Sequence, residues 1–182
     1  MSGDHVCPWW LAYTFDNPLR RLIHNPEKIL SGYVKEAMTV MDIGCGMGYF
    51  TLGLAELVGD AGQVIAVDLQ QRMLDIMLKR ATKKGLAHRI IPHRAGLTSI
   101  GVTTPVDFVL AFWMVHEVPD PSIFFKEVVA TLKPAGKLVY AEPSFHVPEK
   151  QFNEICAAAH KTGLKKTKDL NIAFSRATLF TH

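Results

Sequence analysis

"VMDIGCGMGYFT", Val40 to Thr51, runs an apolar stretch straight into glycines at 44, 46 and 48. A strand that ends this way and turns into a helix brings bare backbone close to a ligand, where a Cβ would collide. The helix follows at once in "YFTLGLAELVG", with Phe50, Leu54 and Leu57 on one side and Gly59 as its stop.

The same alternation continues downstream. "QVIAVD" reads as a second buried strand, and "QQRMLDIMLKRATKKG" as a helix with Met73, Leu74, Met77 and Leu78 at helical spacing. "HRIIPH" is a third strand, irregular or at a sheet edge because of Pro92. "VDFVLAF" is a fourth, then comes the helix "PSIFFKEVVATLKPAG", with Asp120 as N-cap and Pro121 at its first position. "KLVYAE" is a fifth strand. Between Gly96 and Pro105 there is little room for a crossover helix.

The last third holds a helix, "PEKQFNEICAAAHKTG", with Phe152, Ile155, Cys156 and Ala159 on one stripe. "LKKTKDLNIAF" and "RATLFTH" then form an antiparallel hairpin joined near Ser175. Continuous apolar strands separated by amphipathic helices describe a parallel sheet covered on both faces. The fold expected is α/β: a doubly wound, mostly parallel, seven-stranded sheet closed by a C-terminal antiparallel hairpin. Residues 1–38 differ in composition, with Trp9, Trp10, Tyr13 and Phe15 close together, and read as an N-terminal aromatic-rich cap segment ahead of a domain over 39–182.

A chain of 182 residues, 48% hydrophobic and 20% charged, suits one core. The net charge of +3 is spread along the chain without a basic arm, which argues against nucleic acid as a partner. "KTGLKKTK", Lys161 to Lys168, reads as a solvated turn. Three widely spaced cysteines, Cys7, Cys45 and Cys156, fit neither a disulfide framework nor a paired-ligand zinc site, so no metal is expected. No signal segment and no apolar run of about 18 residues is present, so the expected location is the cytoplasm, without membrane insertion.

Asp68 ends the second strand, where a carboxylate accepts both hydroxyls of a ribose. The competing reading is a helix-capping aspartate. A dinucleotide fingerprint, G-x-G-x-x-G, requires glycine where this chain has Tyr49, which disfavours a nicotinamide-dependent oxidoreductase.

These features together resemble the class I S-adenosylmethionine-dependent methyltransferases, in particular those acting on small molecules, with a Rossmann-like fold. "VMDIGCGMG", Asp68, "FVLAFWMVHEVPDP" and "LKPAGKLVYAEP" carry the resemblance in matching order over Thr39 to Pro143. The resemblance implies S-adenosylmethionine as cofactor, with Asp42 and the Gly44, Cys45, Gly46, Gly48 loop at its amino-acid end. It also places Asp68 and Leu69 at the ribose, and Ala111 and Phe112 beside the methionine part. One departure is visible: where the family often has an acidic residue for the adenine, "HRAGLT" places Ala95 and Gly96, so backbone around Gly96 and Leu97, or packing, would take that role.

Methyl transfer from a sulfonium mainly requires alignment and exclusion of water. If the nucleophile is a hydroxyl or protonated nitrogen, a base is needed. Strand-end placement makes His116, Glu117, Glu142 and His146 the candidates, with His116 first and His146 next; a thiolate acceptor needs none. His116 also reads as a structural histidine holding its loop. Cys45 reads as a small residue between glycines, Cys156 as core, and Cys7 stands beside the tryptophans. Trp9, Trp10, Tyr13, Phe15 and Trp113 either line an acceptor pocket or pack. The expected function is methyl transfer to a small-molecule acceptor. The alternative is a non-catalytic cofactor-binding regulator or partner subunit.

Overall fold

The apolar runs become the central strands because each is buried on both faces, while the two edge strands are largely exposed. In the computed structural model, which describes residues 23–182, seven strands form one sheet: β1 (Thr39–Ile43), β2 (Gln63–Asp68), β3 (Ile90–Arg94), β4 (Val106–Phe112), β5 (Leu132–Pro143), β6 (Lys165–Leu170) and β7 (Ser175–Thr181). Their order is β3-β2-β1-β4-β5-β7-β6. The first five strands pair in parallel, and β7 runs antiparallel to both β5 and β6. The doubly wound sheet and C-terminal hairpin expected from the sequence are both present, and β3 with its Pro92 is an edge strand.

Alternate residues of the central strands feed two cores. On one face Val40, Ala66, Phe108, Leu110 and Val139 pack against α1 (Pro26–Leu30), α2 (Tyr49–Val58) and α3 (Gln71–Lys83) through Leu30, Leu54, Leu74 and Met77. On the other, Met41, Ile65, Val109, Leu138 and Tyr140 meet α4 (Pro121–Thr131) and α5 (Glu149–Lys161) through Phe125, Val128, Phe152 and Ile155. The stripe Phe152, Ile155, Cys156 and Ala159 is buried as its spacing required. In α2, Phe50 and Leu54 are buried while Leu57 is only half-buried.

The Asp120 carboxylate caps α4, accepting from Ser122 N at 2.8 Å and Ile123 N at 3.3 Å, with Pro121 at the first turn. Two boundaries differ from expectation. The helix ends at Thr131, and β5 begins at Leu132 rather than Lys137, because Pro134 disfavours helix at the residue before it and supplies no N–H. The three extra residues are absorbed in an irregularity where Val106 pairs with Leu132 and Phe108 with Lys137. His88 and Arg89 belong to a 3-10 turn ahead of β3 rather than to the strand. No helix lies between β3 and β4, as the Thr and Ser content there required.

Lys165, Lys166 and Lys168 stand exposed on β6, the other sheet edge, so this part of the basic stretch is strand rather than turn; lysines there discourage edge-to-edge pairing. Within the expected cap segment, Leu30 and Val34 are buried in the sheet's own core. Trp9, Trp10, Tyr13, Phe15 and Cys7 lie outside the described residues.

Candidate functional site

In this strand order the connections leave β1 toward β2 and β3 on one side and reach β4 and β5 on the other, so the switch point falls between the carboxyl ends of β1 and β4. Open α/β sheets bind ligands there. The glycine loop leaves β1 at this point. Gly44, Gly46 and Gly48 all have positive φ, at 71°, 53° and 86°. A Cβ on Gly44 would stand 2.7 Å from Met114 Cγ, and one on Gly48 would stand 2.5 Å from Met77 Cγ, so these two positions let the post-β4 turn and α3 close in. Gly46 is different: nothing lies within 4 Å of where its Cβ would be. Its bareness faces open space, so no packing neighbour demands it.

Asp68 ties this loop down. Its Oδ2 accepts from Gly46 N and its Oδ1 from Gln70 N, both at 2.9 Å. Gly44 N and Cys45 N donate to Val67 O at 2.9 and 3.0 Å. The N-cap of α3 is Gln70, so Asp68 joins glycine loop and helix start without itself being the cap. Burial raises the Asp68 pKa above the ordinary carboxylate value, against the N–H bonds from Gln70, Gly46 and Leu69 that lower it. Asp42 is buried one strand away and accepts from Thr51 Oγ1 at 2.6 Å.

The other expected positions lie along the same edge of the sheet. Leu69 is half-buried beside Asp68, while Gly96 and Leu97 lie exposed after β3. Ala95 N donates to Asp68 O at 3.0 Å, which draws that loop to the site, and Gly96 N donates to Ser99 O at 2.9 Å within the loop itself. Ala111 and Phe112 are buried at the end of β4. Cys45 is buried, and burial first, then the charges of Asp42 and Asp68, push its thiol well up, so it stays protonated and unreactive. Cys156, in the core, is pushed up to about 11 by burial.

Past β4 the chain turns through Trp113, held left-handed at φ 61°. Trp113 N donates to Ala141 O at 2.7 Å and its Nε1 to Ser175 Oγ at 2.9 Å. Its indole stacks on Phe112 at 5.5 Å and meets the edges of His24 and Phe145 at 5.1 and 5.6 Å. The 3-10 turn Val115–Glu117 then presents His116. Glu142, at the end of β5 and fully buried, accepts from the His116 backbone N at 2.9 Å and faces its Nδ1 at 2.7 Å. Burial alone would lower the imidazole pKa, but the hydrogen bond and charge of Glu142, with Glu117 adding, leave it raised. The His146 ring, exposed in the loop after β5, stands 5.1 Å away.

The sequence marked Glu142 as one base among four; its burial makes it the partner of His116 instead. The contacts of Met114 and Met77 with the glycines had no local signal. Among the described residues no group of three His, Cys, Asp or Glu is arranged to hold a metal, and no helix is long and apolar enough to cross a membrane.

A glycine-cradled crevice at the switch point, with a carboxylate one strand over, defines a doubly wound domain built for a nucleoside-bearing ligand. The chain belongs to the methyltransferase-domain family, of the class I, S-adenosylmethionine-dependent kind: the family's profile matches residues 34–175. It is similar to the demethylmenaquinone methyltransferase of Anoxybacillus flavithermus, 29% identical over 111 residues, which are 61% of this chain and 47% of that protein. With the enzyme of the same name from Lactobacillus johnsonii it shares 33% over 112 residues, 61% of this chain and 46% of that one. The chain thus spans about half the length of these curated relatives. In fold it resembles a SAM dependent methyltransferase from Aquifex aeolicus, with a TM-score of 0.85 and 23% identity over 97% of this chain and 99% of that one. Fibrillarin from Aeropyrum pernix, solved with natively bound S-adenosyl-L-methionine, has a TM-score of 0.65 and 16% identity over 82% and 68% of the two chains.

Proposed function

We propose that this protein transfers the methyl group of S-adenosylmethionine to a small, apolar acceptor. The observation that carries the reading is the Gly46 cradle: a left-handed glycine with open space on its Cβ side, its N–H fixed by the half-buried Asp68. Gly44 to Gly48 and Asp42 would hold the amino-acid end, Asp68 and Leu69 the ribose, and Ala111 with Phe112 the flank of the methionine part. The bound sulfonium supplies an activated methyl carbon; the chain's own contribution is to align it and keep water away.

The acceptor class rests on the opposite rim. Phe145 and Phe174, exposed by 67% and 62%, follow β5 and precede β7, so both stand at the ligand edge of the sheet, across the switch point from Asp68. Phe145 meets Trp113 edge-on at 5.6 Å, so exposed aromatic surface adjoins the turn after β4 and favours an apolar acceptor there. With Phe112 and Trp113 beside it, it suits a flat ring better than a polar metabolite. The name of the Anoxybacillus relative, a demethylmenaquinone methyltransferase, agrees with an acceptor of that shape.

Calorimetric titration with S-adenosylmethionine, S-adenosylhomocysteine and NAD tests the reading. Binding of the first two and not the third is expected. Asp68→Ala should weaken S-adenosylhomocysteine roughly 10- to 100-fold, the loss of charge-assisted hydrogen bonds worth about 1.5–3 kcal/mol. Unchanged affinity in that variant, or binding of NAD, would overturn the site.

A further inference from the structure

Three groups meet on the β5 side of the crevice: His116, Glu142 and His146. His116 is fixed twice by one carboxylate, through its backbone N at 2.9 Å and its Nδ1 at 2.7 Å, and that carboxylate is fully buried. A buried acceptor at Nδ1 selects the tautomer with its proton there, which leaves Nε2 as the lone-pair nitrogen. Among the described residues Nε2 makes no hydrogen bond; Glu117 Oε1 stands 3.9 Å from it. The imidazole remains 13% exposed, enough to be reached from the crevice, while Glu142 is sealed from solvent. This is the arrangement of a base and its orienting partner: one nitrogen locked, the other open, the locking charge inaccessible to substrate.

We propose that His116 is the general base for an acceptor whose reacting atom carries an acidic, phenol-like hydroxyl, and that Glu142 is its positioning residue. The inference rests on the methyl-transfer reading above. His116 Nε2 takes the hydroxyl proton as the O–H bond breaks, and the freed oxygen electron pair forms the O–CH3 bond. The S–CH3 bond breaks with its electrons staying on sulfur, and the proton passes from Nε2 to water. A phenolic hydroxyl titrates near ~10, within range of an imidazole whose pKa is raised, whereas an aliphatic alcohol lies far above it. A thiolate acceptor would give this pair no task.

Other titratable groups face the pair. Glu117 on the same turn and His146 after β5 stand beside His116. On the Glu142 side lies the Tyr140 hydroxyl, buried on the same strand without a hydrogen bond of standard geometry, its pKa driven up by burial and by the Glu142 charge. None of these reaches Nδ1, so removing the Glu142 charge while keeping its shape isolates the dyad.

The experiment uses the intact protein and its Glu142→Gln and His116→Asn variants. Calorimetry with S-adenosylhomocysteine comes first: full binding in all three is expected, and failure of the unsubstituted protein to bind would overturn the methyltransferase reading beneath this one. In the ligand-free protein, NMR titration should show the His116 pKa falling in Glu142→Gln; an unmoved pKa would overturn the positioning role. Rates of methylation are then compared for 4-methylphenol, which needs a base, and 4-nitrophenol, already ionised in mildly alkaline buffer. The ratio of the two rates should shift against 4-methylphenol by about 100-fold in His116→Asn. In Glu142→Gln it should shift the same way by at least tenfold. A merely structural role would slow both substrates alike and leave the ratio unchanged, which would overturn the proposal. Methylation of neither phenol by a protein that binds S-adenosylhomocysteine would overturn the acceptor class and leave the cofactor reading intact.

Discussion

At the scale of single residues, three glycines that look equivalent in the sequence have different physical reasons. Gly44 and Gly48 admit Met114 and Met77, so any side chain there must displace packed neighbours. Gly46 is opposed by nothing within 4 Å, so Gly46→Ala should fold, at a cost of about 1–2 kcal/mol for an L-residue held left-handed. If the cradle is a ligand surface, the same change should weaken S-adenosylhomocysteine at least tenfold in a calorimetric titration. A stability loss with no change in affinity would show the open space to be unused. Asp68 is likewise more than a capping residue: its two oxygens hold the glycine loop and the start of α3 at once. Because burial raises its pKa, and a ribose would donate to the ionised form, affinity for the nucleoside should fall as pH drops through that raised value.

At the scale of elements, α4 carries its own start signal. Asp120 accepts two backbone N–H groups and Pro121 occupies the first turn, which is why the beginning of this helix is legible to within a residue. Asp120→Ala should lower unfolding free energy by about 1 kcal/mol in urea titration, with Asp120→Asn close to neutral. The other end of α4 was less legible. Pro134 argues for a stop, but the strand that follows starts earlier than its apolar run because Leu132 pairs with Val106 across a bulge, a fact that belongs to β4 and not to the segment itself. The stripe of α5 was legible in full, since helical spacing and one apolar partner face leave no alternative register.

At the scale of the whole molecule, the raised pKa of His116 links stability to pH. A group whose folded pKa lies above its unfolded value, about 6.5 for histidine, contributes stability that is fully present below that unfolded value. The contribution is lost as pH rises through the folded pKa. Urea midpoints should therefore fall across that interval in the unsubstituted protein, and the fall should flatten in Glu142→Gln; parallel curves would remove the dyad as its source. The sequence by itself determined the order of strands and helices, the glycine turn, the abbreviated β3 to β4 crossover and the closing hairpin. Each of these is written in periodicity, turn chemistry or a cap within about a dozen neighbouring residues. It also placed the site residues at strand ends, because a doubly wound sheet gathers those ends on one edge. Only the tertiary structure decided which of them touch. The pairing of His116 with Glu142 joins residues 26 apart, and that of Gly46 with Asp68 joins residues 22 apart. The register of β4 on β5 and of β1 on β2 sets both, and register is a property of the whole sheet, fixed by burial on both faces rather than by any one strand.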